Sequence, residues 1–180
     1  MIALIKGQII RKGGNWLIIE TGGLGYKIFA GPAIILSAKI GEPLSLWTHE
    51  QQREDGREFY GFISPDELEL FWRLISVSGV GPKMGLGIVG ASNVAAVKKW
   101  IDDGNIAALS EIHGVGKKTA QKIVLELKGK LAEAESGGDE ASDALVGLGY
   151  TREEARHALA GIEGTTEERI RAALRLLGKR

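Results

Sequence analysis

Apolar positions in the first 62 residues come in short runs broken by polar ones: MIALIKGQII, NWLIIET, GYKIFA, PLSLWTHEQ and REFYGF. These runs are rich in Ile, Leu and aromatics, often alternate, and are separated by the turn signals KGGN, GGLG and REDG, so they predict five β-strands. At Ser64 the period changes. Leu68, Phe71, Trp72 and Ile75 recur at helical spacing. Ser64 is placed as N-cap, Pro65 at the first helical position and Glu67 three residues past the cap, the signature of a capping box. Further helices are expected from Pro82, from Ser92, from Asn105 and from Lys117 to about Leu131. The stretch AEAESGGDEAS is small, acidic and without apolar period, which predicts a flexible linker. Helix signals then return, with Gly149 as a stop and Thr151–Glu154 and Thr165–Glu168 as two more capping boxes.

This pattern describes a multidomain chain, β first and then α. Residues 1–63 suit a small closed β-barrel of the OB type, since closure removes exposed strand edges. Residues 64–131 are all-α, residues 132–140 form the linker, and residues 141–180 form a small three-helix, UBA-like bundle. A bundle of that size has a thin core and more often holds a partner than performs chemistry.

One phrase occurs twice in the helical region. ISVSGVGPKM and SEIHGVGKKT align at an offset of 35, with Leu74 on Leu109, Val77 on Ile112, Gly79 on Gly114, Gly81 on Gly116, Lys83 on Lys118 and Ile88 on Ile123. In each copy a helix ends, the chain turns through two glycines, and a new helix begins at Pro82 or Lys117. The first N–H groups of a helix lack internal partners and lie at the positive end of its dipole. That makes an anion site suited to a phosphate, with Lys83 and Lys118 in the first turn to add charge. The candidate phosphate-binding residues are Gly79, Val80, Gly81 and Lys83 in the first copy, and Gly114, Val115, Gly116, Lys117 and Lys118 in the second. A single such turn is equally well a helix C-cap glycine before an ordinary helix start. Two copies in register, each with its lysine, favour phosphate. Contacts of this kind position a nucleic acid without reading its bases.

Composition narrows where such contact can occur. The 180 residues carry 23 Lys+Arg and 23 Asp+Glu, for a formal net charge of +0. Residues 1–63 hold 7 basic and 6 acidic side chains, residues 64–131 hold 9 and 7, and residues 132–180 hold 7 and 10. Contact with nucleic acid is therefore local, and it belongs to the first two segments. There is no cysteine, so disulfides and Cys-based zinc sites are excluded. Neither a membrane-length apolar run nor a signal-peptide pattern is present, and a cytoplasmic location is expected.

Other constellations predict less. His49, His113 and His157 lack metal-ligand spacing and are expected at the surface or in turns. Trp16, Trp47, Trp72 and Trp100 are expected chiefly in the core, although an OB barrel leaves base stacking open. GGLG lacks the lysine and helix of a P-loop, and no catalytic triad or carboxylate pair stands out. No metal, cofactor or catalytic residue is expected.

The paired phrase resembles the helix-hairpin-helix element of DNA-repair and recombination proteins. The whole order of parts, an N-terminal barrel, GVGPK and GVGKKTA, an acidic linker and a bundle with LVGLGYTREEA, resembles the RuvA family. The two hairpins and REDGREFYGF carry that resemblance most specifically. It implies a non-enzymatic subunit that binds four-way (Holliday) junction DNA in recombination, repair and the SOS response to DNA damage. It also implies a homotetramer, alone or as two tetramers face to face, a RuvB hexameric ATPase as motor, and room for a RuvC resolvase. Glu54 and Asp55 match the family's acidic pin, and Leu145, Leu148 and Tyr150 fall on the bundle that docks on RuvB. Two other readings stay open: a helix-hairpin-helix glycosylase or structure-specific nuclease, and an OB-fold binder of single-stranded DNA.

Overall fold

A computed structural model describes residues 1–54, 56–131 and 140–178, apart from the Arg152 side chain. Asp55 and most of the expected linker, residues 132–139, lie outside the described residues. The strands are β1 (Leu4–Lys12), β2 (Trp16–Thr21), β3 (Leu24–Ala30), β4 (Pro43–Arg53) and β5 (Gly56–Phe62). They close into a barrel in the order β1-β2-β3-β5-β4. Neighbours are antiparallel except β3 and β5, which run parallel with Ile28 opposite Phe59. Alternation puts Ile5, Ile9, Leu17, Ile19, Ile28, Leu46 and Phe59 inside. Two glycines let strands approach: a Cβ on Gly7 would collide with the Glu20 carbonyl oxygen, and one on Gly61 would lie 2.7 Å from Ile28.

A short helix that the pattern does not announce, α1 (Pro32–Ser37), packs Ile35 onto the barrel core. Its six residues are too few to display a helical period. The Lys12 ammonium donates to the Ile35 and Ala38 carbonyls at 3.0 and 2.6 Å, satisfying the end of that helix.

The helices of the middle region are α2 (Pro65–Ile75), α3 (Pro82–Val89), α4 (Val94–Asp102), α5 (Ile106–Ser110) and α6 (Lys117–Leu127). Ser64 caps α2 as expected, accepting from the Glu67 N–H at 3.2 Å. The reciprocal half of the capping box is absent, because the Glu67 carboxylate accepts from the Ile63 N–H one residue earlier. Helix α4 starts at the cap Asn93, one residue later than expected. Helix α6 stops at Leu127 rather than Leu131, and Gly129 follows at φ 77° with its N–H held by Asp102.

The core of these helices continues into the barrel wall. Phe71 of α2 lies 4.8 Å from Phe62 and 5.9 Å from Tyr60, ring to ring, and all three are buried. Leu74, Ile88, Ile101 and Ile123 extend the same cluster. The change from β to α at Ser64 is therefore no break in the core, and Met1–Leu131 is one compact unit.

The second unit holds α7 (Glu140–Gly147), α8 (Arg152–Leu159) and α9 (Thr166–Leu177). Both predicted capping boxes, at Thr151 and Thr165, are formed. Its core is small and alanine-rich: Ala141, Leu145, Ala155, Ala158, Leu159 and Ala173. Among the described residues no helix is long and apolar enough to cross a membrane.

Since Phe71 bridges strand and helix, Phe71→Ala is expected to cost the first unit about 3–5 kcal/mol. Urea unfolding followed by far-UV circular dichroism checks this. A loss below about 1 kcal/mol would show that the seam is not a shared core.

Candidate nucleic-acid interface

The two copies of the repeated phrase fold alike, bond for bond. In the first, Val77 N–H donates to Leu74 and Val80 N–H to Val77; in the second, Ile112 donates to Leu109 and Val115 to Ile112. Gly79 and Gly114 take φ of 91° and 85°, a conformation that favours glycine. Val80 and Val115, between the glycines, are buried and anchor each turn. The phrase thus divides its labour: a glycine turns the chain, a valine ties it down, and a second glycine starts the helix.

That second glycine is the informative one. Gly81 and Gly116 are the N-caps of α3 and α6, at φ −85° and −80°, which any residue tolerates. A Cβ on either would meet no atom within 4 Å. Neither backbone strain nor packing within the chain calls for glycine here. By contrast Ser64, Asn93, Asn105, Thr151 and Thr165 cap α2, α4, α5, α8 and α9 with side-chain oxygens. Starts α3 and α6 forgo that stabilisation, as does short α1, and keep their first N–H groups open to an outside acceptor. Lys83, Lys117 and Lys118 are exposed beside them.

The REDG segment lies at the tip of the β4–β5 hairpin, where Arg53 pairs with Gly56 and Glu54 is exposed in the turn. An open cleft lies between this tip and the start of α3, walled by Gln51, Gln52, Arg53, Glu54 and Pro82. The fold therefore brings the acidic tip and the first hairpin to one site. Below the tip, the Arg53 Nε and the Tyr60 hydroxyl both donate to Glu58 Oε2, at 2.6 and 2.9 Å. The Arg53 hydrogen bond holds the Glu58 carboxyl below its ordinary range. Burial pushes the Tyr60 phenol up to about 12, with the Glu58 hydrogen bond adding to it. A further brace, Arg57 to Glu50 at 3.1 Å, ties the two strands together.

Several expected placements change. Trp47 and Trp72 are exposed and Trp16 is half-buried, whereas Trp100, also half-buried, packs against the helical core as expected. Trp47 and Trp72 flank an apolar groove with Pro65 and Leu68. His49 is not a surface residue: it is half-buried against Tyr60 and Phe71, and its Nδ1 accepts from the Trp72 indole at 3.2 Å. In the bundle, Leu145 is fully buried and cannot itself present a contact, Tyr150 packs against the core half-buried, and Leu148 is 61% exposed. Phe29, which the pattern did not single out, lies beside the first hairpin, with Lys83 Nζ reaching across to the barrel 6.0 Å from its ring. Only alternation along β3 hints that Phe29 points outward there.

Comparison with known proteins covers almost the whole chain. Residues 1–61 match the model described as RuvA N terminal domain, residues 71–130 SAM-like helix-hairpin-helix tandem, and residues 137–178 RuvA, C-terminal domain. The chain is 42% identical over 194 residues to the Holliday junction branch migration complex subunit RuvA of Chloroflexus aurantiacus, covering 99% of each. It is 35% identical over 195 residues to the protein of the same name from Mycolicibacterium smegmatis, covering 100% of each.

The Tyr60–Glu58–Arg53 network carries a pH signature. The folded pKa of about 12 lies above the value of roughly 10 for a free tyrosine, so the unfolded chain loses this proton first. The associated stability is fully present below pH ~10 and is lost as pH rises to ~12, by about 2 kcal/mol. Denaturant melts across that range should show a steeper decline in the wild type than in Tyr60→Phe, which keeps only the loss common to both as lysines deprotonate. Absorbance at 295 nm should show a tyrosinate appearing near pH 12 that the variant lacks.

Proposed function

We propose that this chain, which belongs to the RuvA family, binds four-way DNA junctions through backbone phosphates and holds them for a separate ATP-driven motor. The observation that carries this reading is the pair of glycine-capped helix starts, alike in hydrogen bonding and each flanked by lysine. Each offers unsatisfied N–H groups, a dipole end and an ammonium to one phosphate. Such contacts ignore sequence and respond to where phosphates lie in space. A four-way junction presents four arms, and a four-fold assembly of this chain matches them, so weak individual contacts gain strength by multivalency. The apolar Trp47–Trp72 groove supports contact between copies. A second tetramer on the opposite face and a RuvC-type resolvase fit the same arrangement. Glu54, with Asp55, acts at the crossover: carboxylates there repel phosphate strands and disfavour continuous duplex. In the C-terminal bundle Leu148 and Leu176, exposed at 61% and 60%, are the apolar side chains offered to a RuvB-type motor, with Leu145 supporting them from the core.

The test is affinity for junction, duplex and single-stranded DNA side by side at one stated salt. A clear preference for the junction is expected; equal binding to duplex overturns the reading. Within it, Lys83→Ala and Lys118→Ala should each make the salt dependence shallower by about 1 per protomer in contact.

The glycines separate structure from binding. Gly114→Ala should cost about 1 kcal/mol of folding stability because its φ is positive. Gly81→Ser and Gly116→Ser should leave stability unchanged within about 0.5 kcal/mol, because serine caps a helix at least as well as glycine, and still weaken junction binding, since the added side chain stands where the phosphate approaches. Thermal melts and junction titrations on the three variants check this.

Deleting residues 141–180 should preserve junction binding and abolish motor-driven branch migration. A truncated chain that loses junction affinity, or still supports migration, contradicts that division.

A further inference from the structure

The outer face of the barrel carries a strip of rings with two cations, Arg11 and Lys27, that the junction reading does not use. On β2 and β3, Trp16 pairs with Phe29 and Ile18 with Lys27, so Trp16, Phe29 and Lys27 share one face. The Lys27 ammonium lies 5.0 Å from the Trp16 ring and 5.5 Å from the Phe29 ring. The Arg11 guanidinium of β1 lies 6.0 Å from the other end, at Trp16, and Lys83 of α3 lies 6.0 Å from Phe29. The order across the surface is Arg11, Trp16, Lys27, Phe29, Lys83. Trp16 is laid flat by Gly13, where a Cβ would come 2.5 Å from the indole.

The charges on this strip are not used up within the chain. Arg11 and Lys27 are exposed and make no ion pair among the described residues. The nearby acids are hydrogen-bonded elsewhere, Glu58 to Arg53 and Tyr60 and Glu20 to the Gly23 N–H at 2.7 Å, although the Glu58 carboxylate also feels the charge of Lys83. Cations against aromatic faces are held in place at small entropic cost, with their remaining donors turned outward. Ring faces occupied in this way are poor platforms for unstacked bases, so the strip suits phosphates rather than bases. Through Lys83 it is continuous with the first hairpin.

We infer that Arg11, Lys27 and Lys83 form a phosphate track on the barrel along which a duplex arm held at the first hairpin continues over β3, β2 and β1. This rests on the junction-binding reading and extends its footprint from the hairpins to the sheet. Trp16 and Phe29 serve as positioning residues for the cations.

The test compares the full-length chain with Arg11→Gln/Lys27→Gln, Lys118→Ala and Lys6→Gln, measuring junction affinity against salt concentration. Lys6 is an exposed β1 cation outside the strip. The double variant should make the log–log salt slope shallower by about 2 per protomer in contact, with Lys6→Gln unchanged. Far-UV circular dichroism verifies folding, and Lys27→Gln alone, expected to change the slope by about 1, serves if the double variant is unfolded. An unchanged slope in the double variant alongside a shallower one in Lys118→Ala overturns the track and leaves the junction reading standing. Unchanged slopes in both remove the junction reading and the track with it. An equal effect of Lys6→Gln, or a loss confined to a single-stranded oligothymidine probe, also overturns the track.

Discussion

The packing of Phe71 against Tyr60 and Phe62 is the contact from which the rest of the first unit is positioned. Strand β5 supplies two rings and helix α2 the third, so the barrel wall also serves as the floor of the helical core. Burying such rings stabilises by a few kcal/mol each and tolerates little displacement, because interiors are close-packed. The seam therefore fixes distances that the chain order leaves open: the β4–β5 tip against the start of α3, and Lys83 against Phe29. His49 adds a directional lock, packed on Phe71 while accepting from the Trp72 indole.

Two helix starts are left less stable than they could be. A side-chain cap contributes about 1 kcal/mol, and among the described residues five other helices use one. Placing glycine at α3 and α6 gives up only about a few tenths of a kcal/mol of that term and leaves both helix starts without a side chain. The buried valines compensate by anchoring the turns. Rigid turns with open N–H groups suit a ligand recognised by the spacing of its phosphates, because the site pays little reorganisation when it binds.

Charge is distributed by the same logic at short range. The chain is neutral as a whole, so no long-range basic field draws nucleic acid to it. Glu58 is neutralised locally by Arg53, whereas Glu54 stands exposed at the tip. Lysines stand at the helix starts and Glu54 at the tip across a cleft, and each exposed charge acts over only about a Debye length of 8–10 Å.

Local features were legible in the sequence because their causes are local. The five strands follow from alternation and turn residues, and the helix starts from Ser64, Asn105, Pro82 and Lys117, each set by a few neighbouring side chains. The duplicated hairpin could be read because glycine, valine and lysine recur at one spacing. What the tertiary structure decided involves residues far apart in the chain. Phe71 meets Tyr60 and Phe62, Trp47 and Trp72 come out to the surface, His49 goes in, and Lys83 reaches Phe29. Hydropathy assigns a tryptophan or a histidine to no particular side of a surface, because each has an apolar body and a polar atom. Only the packing of barrel against helices settles which part is covered. The roles of Gly81 and Gly116 are likewise invisible in one dimension: that they need neither their φ nor their lack of a side chain for folding is known only once the space around them is seen.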